Sequence, residues 1–367
     1  MTPRTNPFTP TFGMVPPYLA GRDRVLATMR DAFHAGLGNP NLCSLFIGPR
    51  GSGKTALLSC IGDEAREAGW IVVDTVAEEG MLEDIIQHAN LEAAQVVDAT
   101  PHSRLSGLTV GQVGVAWEYE STNAPTWRIR MEALLSKLAE KNVGLLITVD
   151  EVRVTVEELV ELITSYQLFI RSGRSVALLM AGLPANVTDL VEDARISFLR
   201  RSRQQFLETI SDAEVSSAIR KTIKRGGKAI EDDALEKIVQ ASAGYPYMMQ
   251  LVGYFTWLAS DDSARITASQ AQRGVRDAQS DFRRGVLDRT WQEMSPGDRA
   301  FAAAMLPDQD ASTLSEVARR MGRATNYAST YKRRLMHQGV IGERGGSTFG
   351  FDIPLMRDYV AEKSEQR

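Results

Sequence analysis

Residues 48–55 read Gly-Pro-Arg-Gly-Ser-Gly-Lys-Thr, and Gly48, Gly53, Lys54 and Thr55 fall at the spacing G-x-x-x-x-G-K-[ST]. These residue types at this spacing suit one chemistry, the holding of a polyphosphate. The run Gly48, Pro49, Arg50, Gly51, Ser52, Gly53 can turn tightly enough for several backbone N–H groups to face one anion. A helix starting at its end adds a favourable dipole. Lys54 is then placed to reach the β- and γ-phosphates, and the Thr55 hydroxyl to ligate Mg²⁺. A second pair of groups, Asp150 and Glu151, closes the apolar run Val143–Val149. Asp150 would hold the Mg²⁺ directly or through water, and Glu151 would polarise the attacking water as general base. A second carboxylate beside the metal-holding one points to hydrolysis, since a mere binder needs none.

The elements that must position these groups are legible around them. "CSLFIG" has the length of a buried strand, and "ALLSCIGDEAREAG" reads as a helix closing at Gly69. That is the strand–loop–helix context the phosphate-binding motif requires. Trp70–Val76 and Ser175–Pro184 read as further strands, with a short last strand near Phe206–Ile210. "TVEELVELITSYQLFIRSG" reads as an amphipathic helix. Strands alternating with helices predict an α/β fold: a P-loop NTPase core with a parallel sheet and right-handed crossovers. About ninety-five residues lie between Lys54 and Asp150, more than one or two strand–helix units need. The excess falls around 101–121, where "LTVGQVGVAWEY" alternates like a hairpin strand. It reads as an insertion, either a binding loop or a plain hairpin.

Beyond this core the pattern turns helical. "SDAEVSSAIRKTIKRGG" opens with a capping box, Ser211 to Glu214, and "DDALEKIVQASAG" and "PYMMQLVGYFTWLAS" follow as helices. Pro246 suits the start of the third. From Ser295 two short helices, a third over "ATNYASTYKRRLMHQGVI" and two strands around Gly345-Gly346 spell a winged helix-turn-helix. Leu314, Val317, Ala318, Tyr331, Leu335, Val340 and Ile341 are its expected core. The expected domains are therefore 1–210 (ATPase core), 211–290 (helical lid) and 291–367 (winged helix-turn-helix). In such a module the second motif helix commonly enters the major groove. Asn326, Tyr327, Ser329, Thr330, Lys332 and Arg333 are its expected exposed residues. Arg323 and Arg344 would touch phosphates at the flank and wing. The same module also serves protein–protein docking.

Composition fits this division. The chain has 367 residues, 43% hydrophobic, enough for two or three domains. Net charge is -4 overall, yet residues 312–367 hold ten Lys/Arg against six Asp/Glu. That tail is +4 and the remainder, 32 against 40, is -8. A basic tail on an acidic body suits an anionic partner such as double-stranded DNA. Two cysteines, Cys43 and Cys60, lack metal-ligand spacing and are expected to be buried. No apolar run reaches transmembrane length, and the proline-rich start lacks a signal-peptide core and is expected to pack on the body as an extended lead. The expectation is a soluble cytoplasmic protein without membrane contact.

"PYLAGRDRVLATMRDAF" resembles the opening box of AAA+ ATPases of the origin-recognition (ORC-like) branch. Together with "GPRGSGKT", "LLITVDE", "VALLMAGLP", "FLRRSRQQF" and "GYPYMMQLVGYFTW", the chain resembles a bacterial ORC-like AAA+ ATPase over nearly its whole length. The resemblance places Tyr18 and Leu19 near adenine, with Ala56 and Pro246 as further nucleotide contacts. It puts an arginine finger, which completes a neighbouring subunit's site in a homo-oligomer, at Arg200, Arg201 or Arg203. Two positions depart from the family. The strand Val176–Ala181 would end in a polar γ-phosphate sensor, but Ala181-Gly182-Leu183-Pro184 offers none and Asn186 is a distant substitute. The lid arginine's place is taken by Tyr247. Both departures imply slow turnover of ATP to ADP and a switch-like protein. The leading expectation is an ATP-binding protein that engages DNA through its tail. Two alternatives stay open: a STAND-like signalling switch whose tail binds a protein, and a nucleotide-binding module without turnover.

Overall fold

The computed structural model describes residues 5–11, 13–97 and 125–365, so the expected insertion around 101–121 lies outside the described residues. Runs rich in Val, Ile and Leu form the inner strands of a parallel sheet, because a strand covered by helices on both faces must be apolar on both. In chain order the first part runs α1 (Asp23–Ala35), β1 (Cys43–Ile47), α2 (Lys54–Glu67), β2 (Ile71–Val76), α3 (Met81–Val97), α4 (Trp127–Glu140), β3 (Leu145–Asp150), α5 (Glu157–Arg171), β4 (Val176–Gly182), α6 (Pro184–Glu192) and β5 (Arg203–Phe206). The five strands lie in the order β2-β3-β4-β1-β5, every pairing parallel. Alternation along each strand splits the core into two layers. Leu45, Ile47, Val73, Ile147 and Met180 pack with α3, α4 and α5, while Phe46, Val72, Leu146 and Leu179 pack with α1 and α2.

The last strand is Arg203–Phe206 rather than Phe206–Ile210. It pairs with β1 alone, so as an edge strand it is polar and its Phe206 is exposed. The buried Leu207 and Ile210, which suggested the later strand, belong to the connection that follows. Cys43 and Cys60 are half-buried rather than buried, and neither is in a disulfide. Burial pushes the Cys43 thiol up to about 11.

A helical layer follows: α7 (Asp212–Arg225), β6 (Ala229–Ile230), α8 (Asp232–Ser242), α9 (Pro246–Ala259), β7 (Arg265–Ile266) and α10 (Ala268–Phe282). Both halves of the Ser211–Glu214 capping box form. Phe8, 2% exposed, fills a notch above Gly253 of α9, where any Cβ would collide with its ring. The extended N-terminal lead is thereby strapped to the lid. From α10 the chain passes through a π-helical turn, Arg283–Leu287, into α11 (Asp288–Glu293). Then come α12 (Pro296–Met305), β8 (Ser312–Thr313), α13 (Leu314–Arg320), α14 (Thr325–His337), β9 (Ile341–Gly345), β10 (Thr348–Phe351) and α15 (Met356–Glu365). β10 pairs antiparallel with both β8 and β9. Val317, Ala318, Leu335, Val340 and Ile341 are buried as expected, whereas Leu314 and Tyr331 are half-buried. Helices α12 and α14 are tied by Arg334, whose guanidinium donates to the buried Asp298 carboxylate at 2.6 and 2.8 Å.

Candidate functional site

β1 is an interior strand of the sheet, and its C-terminal end delivers residues 48–53 into the start of α2. Gly51 (φ 71°) and Gly53 (φ 86°) hold the left-handed turns the loop needs. β4 lies between β1 and β3, yet the ends of β1 and β3 still converge. The Thr55 hydroxyl donates to Asp150 Oδ2 at 2.5 Å. Two hard oxygen donors side by side suit Mg²⁺, which keeps waters and phosphate oxygens as its remaining ligands. The Lys54 ammonium, 7% exposed, donates to the carbonyls of Gly48 (2.9 Å) and Pro49 (2.8 Å). Burial lowers its pKa, while Asp150 and Glu151 pull it back up. Glu151 takes a left-handed backbone (φ 55°), a conformation that costs energy for any residue with a Cβ and that gathers at functional sites.

A cavity of about 590 Å³ opens beside this loop. It is lined by Arg50, Gly51, Ser52, Gly53, Lys54, Thr55, Ala56 and Glu151, with Tyr18 and Leu19 from the lead and Pro246 from the lid. The expected nucleotide residues are thus brought together, with two differences. Asp150 meets the site through Thr55, and Gly48 and Pro49 line a neighbouring cleft while lending their carbonyls to Lys54. Ser52 Oγ is buried without a hydrogen-bond partner among the described residues. The lid sits down on the loop: the Tyr245 hydroxyl donates to the Arg50 carbonyl, and the Tyr247 N–H to the Gly51 carbonyl at 3.3 Å. A Cβ on Gly51 would collide with the Tyr245 phenol. Tyr245, Arg153, Arg22 and Gln250 also reach the site and went unnoticed in the sequence. Tyr245, directly before the helix-starting Pro246, carried the one available signal.

Residues 284–360 match a family model described as a domain of unknown function (DUF8462). No curated protein matches the chain. Solved structures match it end to end at low identity. The Walker-type ATPase of Pyrococcus abyssi is 12% identical with a TM-score of 0.63, covering 94% of this chain and 96% of its own. The ORC2 protein of Aeropyrum pernix, solved in ADPNP–ADP complexes, is 13% identical with a TM-score of 0.62 and 98% coverage of each chain. Cdc6p of Pyrobaculum aerophilum is 14% identical, with a TM-score of 0.50 and 98% coverage of each chain. The chain has the AAA+ P-loop fold.

In this AAA+ frame the strand between β1 and β3 is β4, and its end, Ala181-Gly182-Leu183, carries no polar side chain. A Cβ on Gly182 would come within 2.7 Å of Val152 Cγ2. Asn186, the distant substitute, is turned away: its Oδ1 lies 2.7 Å from His337 Nδ1 of α14. The three arginines considered as fingers all lie outside the cavity. Arg200 donates to the Val191 and Glu192 carbonyls at 3.3 and 3.4 Å and so closes the end of α6. Arg203 sits exposed on the edge strand, and Arg201 is exposed beside Ser202. Neither side chain makes a hydrogen bond or ion pair among the described residues.

The tail residues split into two groups. Arg323 and Asn326 are exposed at the start of α14, with the Arg323 guanidinium 5.4 Å from the Tyr327 ring. Lys332, Arg333 and Arg344 instead line a cleft of about 1340 Å³ whose opposite wall carries Asp189, Glu192 and Glu208 of the core. Arg344 is held within the β9–β10 pair and its flank, donating to Asp352 Oδ1 (2.8 Å) and the Phe351 carbonyl (2.6 Å). That ion pair keeps Asp352, 9% exposed in its side chain, from standing alone, so Arg344 braces the hairpin instead of projecting from it. Among the described residues no helix is long and apolar enough to cross a membrane.

Proposed function

We infer that the chain binds ATP with Mg²⁺ in the cavity beside residues 48–55, hydrolyses it slowly, and engages duplex DNA through its tail in a nucleotide-dependent way. The observation that carries this is the meeting of Thr55 and Asp150 at 2.5 Å beside Lys54 and Glu151. When bound, Mg²⁺ supplies charge neutralisation at the phosphates. The chain's own groups do the rest. The N–H groups of residues 50–55 and Lys54 hold the phosphates, Tyr18, Leu19 and Pro246 wall the base side, and Glu151 takes a proton from water as that water's oxygen bonds to the terminal phosphorus. The bond to the bridging oxygen then breaks, giving ADP and phosphate. The bare end of β4 and Tyr247 on the lid support slow turnover.

The order α12-β8-α13-α14-β9-β10 supports a winged-helix reading of the tail, with the divisions 1–210, 211–290 and 291–367. Arg323, Asn326, Lys332 and Arg333 are its DNA-contacting candidates. Arg201 and Arg203 stay free to complete a neighbouring copy's site, the oligomeric part of the proposal. A DNA-engaging ATPase of this kind belongs in the cytoplasm. The test is sedimentation with ATP or ADP, with and without duplex DNA, for wild type and Lys54→Ala. Assembly on DNA that needs ATP and Lys54 supports the reading; a monomer silent to DNA in every condition sinks its DNA and oligomer parts. One observation favours a second reading, a STAND-like switch whose tail seeks a protein. The tail is docked on the core, with His337 between Asn186 and Asp189 (Nε2–Oδ2 3.4 Å). DNA affinity that stays flat when this contact is cut would favour it.

A further inference from the structure

Val152 is fully buried, and its N–H donates to the Ala181 carbonyl at 3.0 Å, so the chain after β3 is pinned to the end of β4. Glu151, with its left-handed backbone, and Arg153 flank Val152, and both line the cavity with Lys54 and Thr55. The Arg153 guanidinium lies 3.9 Å from Glu151 Oε2, a loose contact with both side chains about half exposed. Of the other three cations at the cavity, Lys54 is bonded to two carbonyls, and Arg22 donates to the Glu208 carbonyl at 3.1 Å. Arg50 is exposed, with its stem close to Gly339 of the tail. Arg153 alone among these four pairs with Glu151.

We propose that Arg153 reads the third phosphate of the bound nucleotide, in the place of the polar group that the end of β4 does not carry. Without a third phosphate, Arg153 pairs with Glu151 and restrains the general base. A triphosphate presents a doubly charged, three-oxygen acceptor that outcompetes a single exposed carboxylate for a planar guanidinium. Arg153 then leaves Glu151, and the base is released only when there is a bond to hydrolyse. One loose ion pair thus couples recognition of ATP over ADP to activation of the water. The proposal rests on the nucleotide reading of the cavity.

The experiment is calorimetric titration of the full chain with Mg²⁺ and either ADP or the non-hydrolysable β,γ-imido analogue of ATP. Arg153→Ala is expected to lose about tenfold or more in affinity for the analogue, the worth of one charge-assisted hydrogen bond, while ADP affinity holds. Arg153→Lys should recover part of the loss. Glu151→Gln should tighten the analogue in the wild-type background and leave it unchanged beside Arg153→Ala, because the pairing it removes is already gone. Equal losses for both nucleotides, or none, would overturn the role of Arg153 while leaving the nucleotide site standing. Additive effects of the two substitutions would overturn the pairing with Glu151. A wild-type chain that binds neither nucleotide would overturn the nucleotide reading, and this proposal with it.

Discussion

Gly51 lies at a position the phosphate-loop spacing leaves open, yet two independent demands settle its identity. Its φ of 71° excludes residues with a Cβ at little cost, and the Tyr245 phenol occupies the space a methyl would need. Gly51→Ala is expected to push the lid off the loop and weaken nucleotide binding about tenfold, from left-handed strain of about 1–2 kcal/mol. Calorimetry checks this, and unchanged affinity would mean the lid does not seat through Tyr245 in solution. The carboxylate pair separates by role in the same way. Glu151→Gln should bind ATP at least as well as wild type while turnover falls by about 10²–10⁴, the usual worth of a positioned general base. A steady-state assay beside a binding titration reads the two effects apart. Turnover that survives the substitution would move the base elsewhere.

Among the elements, α12 and α14 show how the tail holds its shape. Asp298 is 1% exposed and accepts three hydrogen bonds from two residues: it closes the capping box on the Ser295 N–H at 2.9 Å and takes two bonds from Arg334. Removing Arg334 leaves a buried carboxylate with a single neutral donor. Arg334→Ala is expected to destabilise the tail by about 2–3 kcal/mol, read as a lower urea midpoint with the slope unchanged. A midpoint within error of wild type would show that water replaces the guanidinium. The π-helical turn at Arg283–Leu287 joins lid to tail, and the bidentate Arg283–Glu362 pair (2.6 and 2.7 Å) clamps it to α15. π-turns concentrate where helices must bend or serve a function, and this one lies at the junction any tail movement must use.

At the scale of the whole molecule, the tail's basic face is folded toward the core's acidic one. Lys332 and Arg333 look across the cleft at Asp189, Glu192 and Glu208, and α14 is fastened to α6 through His337. A duplex reaching Lys332 and Arg333 must displace this contact. His337→Ala is therefore expected to extend the molecule in small-angle scattering and raise affinity for duplex DNA several-fold at low salt. An unchanged radius of gyration would mean that other contacts hold the tail. Because phosphate contacts release counterions, the gain should shrink as salt rises.

Local sequence determined the phosphate loop, the acid pair, the alternation of strands and helices, and the Ser211–Glu214 capping box. Each depends on residues within a few positions of one another, where spacing and side-chain chemistry act directly. The last strand escaped because an edge strand carries no apolar signature, and Leu207 and Ile210 drew the boundary too late. Tertiary structure alone decided the rest. Tyr245 meets Arg50 across 195 positions and His337 meets Asn186 across 151, and no periodicity records such separations. Nor could residue type reveal that Arg344 is spent on Asp352, or that Arg153 lines the cavity beside Glu151. Local patterns specify which segments form. Which side chains then face one another follows from the packing of those segments, and in this chain that packing places the lid and the tail against the loop that began as a spacing of glycines.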